Sequence, residues 1–358
     1  MKRIKLILLL AIFGLSVSAQ TIIVQKADGS NARVFNNIDD AVKQANANDY
    51  LYFSGGKYDI KSGWRGYTGT ESLKSNFLVI DKPLHFVGGG YKGGSDAAVI
   101  TGTFALRRAA SGSTITGMTF ENAVYLDSIS NTTVSRNLFK SHLGLCGTGT
   151  NNVITECQFS LTSIYGTLSL GGGSSTNMNN YPSTTISKNI IYQVSNLQNV
   201  TIANNVIQSI IAYLSYCEVK NNIFIHSSLN YSPLTNDPYT TYNTFENNIM
   251  YTVGYAYNNT GKNNIALATL NAGKNVEDYI DITGVFVNYK GSDYHLKPEF
   301  LSICTGTDGT QIGIYGTTAP FKENKTTAYP QFLSKNIAEE TNGNGELEVE
   351  MKVEAQVR

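Results

Sequence analysis

VSRNLF (134–139), ISKNII (186–191), IANNVI (202–207), VKNNIF (219–224) and FENNIM (245–250) repeat one six-residue phrase: an apolar residue, polar residues ending on Asn, then any residue and a large apolar one. ITGMTF (115–120), ITECQF (154–159) and GKNNIA (261–266) are weaker copies. The phrases start at 115, 134, 154, 186, 202, 219, 245 and 261, so the steps are 19, 20, 32, 16, 17, 26 and 16 residues. That period is too short for a helical-hairpin repeat and too irregular for a coiled coil. It fits one turn of a β-solenoid made of three short strands. The long steps then mark inserted loops, one running from Gly171 through Pro182 and the other from Pro233 to Pro238.

The recurring amide has a physical reason. Successive parallel strands lie about 4.8 Å apart, so equivalent side chains stack directly. An amide is both donor and acceptor, so identical residues can hydrogen-bond up such a stack. Asn137, Asn189, Asn205, Asn222, Asn248 and Asn264 share the offset, and Met118 and Cys157 interrupt it. Two positions on, Phe120, Phe139, Phe159, Ile191, Ile207, Phe224 and Met250 form an apolar column suited to a core. The same arithmetic stacks Glu121 beside Lys140 and Arg136 beside Glu156, as ion pairs between neighbouring coils.

Lys2, Arg3 and Lys5, then the apolar run from Leu6 to Leu15, then Val17-Ser18-Ala19, read as an export signal over residues 1–19. The protein is expected in the periplasm, at the cell surface or outside the cell, with no transmembrane segment in the mature chain. Acidic and basic side chains balance at 27 each and charged residues make up 15%, which argues against a nucleic-acid partner. Cys146, Cys157, Cys217 and Cys304 allow two disulfides or four buried thiols, and their spacing does not choose. Near the end, Leu347, Val349, Met351, Val353, Ala355 and Val357 alternate with polar residues, as in a half-buried strand that folds back onto the last coils as a cap, with a sorting or docking strand as the alternative.

Two further stretches carry a family resemblance. Asn36 or Asn37 caps a short amphipathic helix bearing Ile38, Ala41, Val42 and Ala45, followed by Asn48-Asp49-Tyr50-Leu51-Tyr52-Phe53-Ser54-Gly55-Gly56-Lys57-Tyr58 and Leu84-His85-Phe86-Val87-Gly88-Gly89-Gly90. Tyr294-His295-Leu296-Lys297-Pro298 and Gly306 to Gly316 lie toward the other end. Together with the repeat, these resemble the pectate-lyase-like superfamily of bacterial exported proteins. The resemblance implies an all-β right-handed parallel β-helix over 20–320, plugged by the N-terminal helix; the tail over 321–358 is separate, and its capping strand is read from the alternation alone. It is specific for fold and poor for function, because the superfamily holds lyases, hydrolases, epimerases and adhesins.

Three kinds of activity merit comparison. A uronate lyase needs a base and a cation to neutralise the substrate carboxylate, and Arg136, Lys140 and His142 are the candidates. The stacked ion pairs explain the first two of these more simply. Calcium would enter only with such a lyase, and no other cofactor or metal ligand set is expected. A glycosidase needs two carboxylates across the cleaved bond, yet Glu218 is the one acidic residue between Glu156 and Asp237. The leading expectation is therefore binding of a polysaccharide or glycan surface, with Tyr125, Tyr165, Tyr213, Tyr231 and Tyr255 as a stacking platform and Trp64 as a second candidate. The alternatives are the lyase and a scaffold with no sugar role.

Overall fold

A computed structural model of the chain describes residues 20–64, 74–91, 97–160, 162–167, 178–209, 211–225, 238–322, 331–337 and 349–354. The expected export signal lies outside them. The described protein is predominantly β, with long parallel sheets compatible with a β-helix. Each full repeat supplies three short strands, such as Met118–Phe120, Val124–Asp127 and Thr133–Ser135. Each strand pairs in parallel with its counterpart one repeat on: Phe120 faces Phe139 and Phe139 faces Phe159. In the same way Val134, Ile154, Ile186, Ile202, Val219, Phe245 and Gly261 follow one another in register. The apolar columns of these strands are buried in one shared core.

The phrase folds as it does because its residue before the ladder Asn turns left-handed. Arg136, Glu156, Lys188, Asn204, Asn221, Asn247 and Asn263 all have φ between 50° and 56°. Asn tolerates this region better than other residues with a side chain, which favours it there. The bend joins two strands and leaves backbone groups to be satisfied by the next residue, whose amide points inward. The Asn205 Nδ2 donates to Asn222 Oδ1 at 2.9 Å and to the Ile186 carbonyl at 2.9 Å, while its Oδ1 accepts from Asn189 at 3.1 Å. Asn222 repeats the pattern to Asn248, and Asn248 to Asn264. At the break, the Cys157 backbone N–H still donates to Asn189 Oδ1 at 2.8 Å.

A second buried polar column stands five residues before the first. Ser113, Thr132, Asn152, Thr184, Asn243 and Asn259 occupy it, with Val200 and Cys217 as its apolar members. Thr132 N–H donates to Asn152 Oδ1, Asn152 N–H to Thr184 Oγ1, and Asn243 Nδ2 to Asn259 Oδ1. Here too the preceding residue is left-handed, from Asn131 at φ 56° to Asn258 at φ 63°.

The ends are built differently. Strand Ile22–Gln25 pairs antiparallel with Arg33–Phe35 and Tyr50–Phe53, and Tyr50–Phe53 then pairs in parallel with His85–Val87. Helix Ile38–Gln44 is capped by Asn37, whose side chain accepts from Asp40 N–H at 2.8 Å, and it buries Ile38, Ala41 and Val42 in the main core. At the far end Gly261 replaces the large residue of its column. A Cβ there would lie 1.9 Å from Cζ of Tyr255, whose ring fills that space beside Phe245.

Residues from Leu270 to Phe321 run back over the outside of the 10-stranded sheet. Their apolar side chains bury Ile190, Val206, Ile223, Ile249 and Ile265 in a second core. All four cysteines are buried thiols, so neither disulfide of the two-bridge alternative forms. Burial pushes the Cys157, Cys217 and Cys304 thiols up to about 12. In the tail, Val349–Glu354 pairs antiparallel with Gln331–Ile337 as a separate two-stranded sheet. The expected terminal strand is there, and its described partner is that neighbour rather than the last repeat. Among the described residues, no helix is long and apolar enough to cross a membrane.

Candidate functional site

The bend before the first column carries the charged candidates. Arg136 Nε sits 2.8 Å from Glu156 Oε2, and Lys188 Nζ sits 3.4 Å from Glu156 Oε1. The three side chains are 11–16% exposed. Lys188 Nζ also donates to the Ala319 carbonyl at 2.9 Å, so the C-terminal segment lies over this corner. Lys140 belongs elsewhere: its Nζ is 3.4 Å from Glu121 Oε1, and Lys57 approaches the other oxygen at 4.0 Å. His142 is held by a third set, with Nε2 3.1 Å from the Tyr125 hydroxyl and Nδ1 3.4 Å from Ser141 Oγ. Burial holds the imidazole of His142 below its ordinary pKa, so it is neutral at pH 7. Arg136, Lys140 and His142 are thus tied to separate partners. Among the described residues, no three His, Cys, Asp or Glu side chains gather in a metal-binding arrangement.

The expected tyrosine platform is divided by the register. Tyr125 and Tyr165 lie in one column with Gly144, Ser195 and Ala212. Tyr125 is 3% exposed and stacks on Phe77, so it packs rather than presents a face. Tyr255 closes the first ladder, where its hydroxyl accepts from Asn264 Nδ2. Tyr231 and the side chains of Tyr165 and Trp64 lie outside the described residues.

Tyr213 occupies a different setting. It is left-handed at φ 53° and stacks on Tyr239, with centroids 5.1 Å apart and an interplanar angle of 16°. Three residues on, Tyr216 and Tyr242 stack at 5.1 Å and 5°. Tyr216, Tyr239 and Tyr242 are more than half exposed, and Tyr257, also left-handed at φ 54°, is exposed beside them. The two stacked pairs, Tyr213 with Tyr239 and Tyr216 with Tyr242, form a two-by-two grid, with Tyr216 and Tyr242 on the bend that precedes the second column. Sequence reading missed Tyr216, Tyr239 and Tyr242. The signal was a Tyr-x-x-Tyr pair recurring after 26 residues (213 to 239), the same step that separates Val219 from Phe245.

The two bends differ in chemistry along their whole length. The first carries Arg136, Glu156 and Lys188, and its Asn221 and Asn247 side chains bond the C-terminal segment. The second reads Gly112, Asn131, Asn151, Ser183, Asn199, Tyr216, Tyr242 and Asn258, with no ionised side chain. Asn199 Nδ2 donates to Asn180 Oδ1 at 2.8 Å, extending an exposed amide surface next to the tyrosines. A separate polar cleft of about 450 Å³ lies between Asp59, Lys61, Asn76, Thr101 and Asn122. Asp59 is already engaged by the Thr101 hydroxyl there, and Asn122 by the Gly102 N–H.

No family model, no curated protein and no solved structure matches the chain.

Proposed function

We propose that this chain is an exported right-handed parallel β-helix protein of the pectate-lyase-like type, capped at its N-terminal end by helix Ile38–Gln44, and that it binds a polysaccharide. The parallel register, the stacked amides and the two left-handed bends per repeat support the solenoid. The residues over 1–19 support export.

The binding reading rests on one observation: tyrosines at positions whose backbone disfavours them. Tyr216 and Tyr242 have φ of 53° and 59°, which costs a residue other than Gly or Asn on the order of 1 kcal/mol. Equivalent positions elsewhere on that bend use Gly, Asn or Ser. An exposed aromatic ring at such a site is not selected by backbone or core. The Tyr216–Tyr242 pair is more than half exposed, and exposed aromatic surfaces with flanking amides suit the alternating C–H and O–H groups of a sugar.

The test compares the native protein with Tyr216→Asn/Tyr242→Asn on a glycan array and by affinity electrophoresis. Asn suits the left-handed backbone, so the fold should persist by circular dichroism. Binding should weaken at least about tenfold, equivalent to 1.4 kcal/mol. Equal retention of native and variant protein on every glycan tested would remove the tyrosine grid as the site.

A further inference from the structure

We infer that the tyrosine grid takes a neutral polysaccharide and discriminates against acidic ones, an inference that rests on the binding reading above and adds the ligand's charge class to it. The grid is assembled from residues 189–217, 239–245 and 251–261, and none of these three stretches contains Asp, Glu, Lys, Arg or His. That absence is unusual at the bend itself, where Asp suits a left-handed backbone about as well as Asn. Asn131, Asn151, Asn199 and Asn258 stand where Asp could have stood, and the other bend of the same molecule does accept Arg, Glu and Lys.

The consequence for a ligand follows from desolvation. A uronate or sulfate brought against this surface loses water around its charge and meets, among the described residues of the three stretches, phenol hydroxyls and amides in place of a cation. A chain of neutral hydroxyls meets donors and acceptors of its own kind, which exchange for water at little net cost. The cations beyond these stretches are already paired: Lys220 with Glu218 at 2.9 Å and Lys262 with Glu246 at 3.6 Å, while Arg136 and Lys188 share Glu156 on the other bend.

The experiment measures dissociation constants of the full mature chain for neutral polymers (glucan, xylan, mannan) and acidic ones (polygalacturonate, alginate), at low and high salt. Neutral polymers should bind, with less than about a twofold change between the two salt conditions. The Tyr216→Asn/Tyr242→Asn variant should weaken that binding by about tenfold or more. Tyrosine-dependent binding confined to acidic polymers, or affinity that falls steeply with salt, overturns the neutral assignment while leaving polysaccharide binding in place. Binding to neither class, or binding indifferent to the two substitutions, overturns the underlying reading as well.

Discussion

Tyr216 and Tyr242 stack nearly parallel, 5.1 Å apart, from two backbone positions that are both left-handed. The pair combines a gain and a cost of similar size. Ring stacking contributes about 0.5–1.5 kcal/mol beyond area burial, and the backbone conformation costs on the order of 1 kcal/mol at each residue. Tyr216→Asn removes both terms at that residue. Its unfolding free energy should therefore stay within about 1 kcal/mol of the native protein, measured by urea denaturation. A loss well beyond that would mean the rings serve chiefly to hold the repeats together.

Glu156 is the shared acid between Arg136 and Lys188. Glu156→Gln leaves two cations side by side at a corner where both side chains are about 15% exposed. Breaking a buried pair from one side costs about 3 kcal/mol, because the remaining charge is uncompensated. The variant should lose that much in denaturant titration. Lys140→Ala, at an exposed pair, should change stability by less than about 1 kcal/mol.

Cys157 interrupts the amide stack between Asn137 and Asn189, and its N–H already donates to Asn189 Oδ1. In Cys157→Asn the new carboxamide can donate to Asn189 and accept from Asn137, as Asn205 does between its own neighbours. Each added hydrogen bond contributes about 1 kcal/mol net. The substitution should raise the thermal midpoint, or at least leave it unchanged. A drop equivalent to more than about 1 kcal/mol would show that the break is enforced by packing.

The repeat was legible because its register is local. A step of 16 to 20 residues carries both the column of Asn137 and the pairing of Arg136 with Glu156 from one strand to the next. What could not be read came from distant chain segments. The fifth position of the phrase looks unconstrained, holding Thr119, Leu138 and Gln158 in the early copies. From Ile190 onward it is apolar because residues 270–321 cover that face, an event set by a segment far along the chain. Tyr255 resembled a platform residue by offset, yet it fills the space over Gly261 at the end of the stack. The four cysteines gave no pairing because all are buried thiols, Cys157 and Cys217 in the main core, Cys146 in a small cluster and Cys304 under the C-terminal segment. The tyrosine grid was within reach, since the 26-residue step was already in hand from Val219 and Phe245.

His85 and His142 give the protein an acid-side dependence. Burial lowers both imidazole pKa values below the ordinary 6.5. The unfolded chain then binds more protons than the native one between the lowered values and 6.5, so stability rises with pH in that window. Their contribution is full above about pH 6.5 and is lost progressively as the pH falls from there through the lowered folded-state values. Denaturant titrations on either side of that window should show the decline, and proton NMR should place both ring titrations below 6.5. Ring titrations at or above 6.5 would contradict the burial.

Asn221 fastens the C-terminal segment to the first bend. Its side chain donates to Thr307 Oγ1 at 3.0 Å and accepts from Thr307 N–H at 2.9 Å, while its carbonyl accepts from Gly313 N–H at 2.9 Å. Asn221→Gly keeps the left-handed backbone (φ 56° in the native chain) and removes only the amide. Two of the three bonds are then lost, and the Thr307 N–H loses its acceptor. Hydrogen exchange should accelerate at Thr307 by roughly tenfold, the equivalent of about 1.4 kcal/mol. The Asn205 and Asn248 backbone amides, held by the inward-facing ladder, should keep their native rates. If exchange rises equally at both places, the segment and the repeats open as one cooperative unit, and the bend residues act on global stability rather than on the seam.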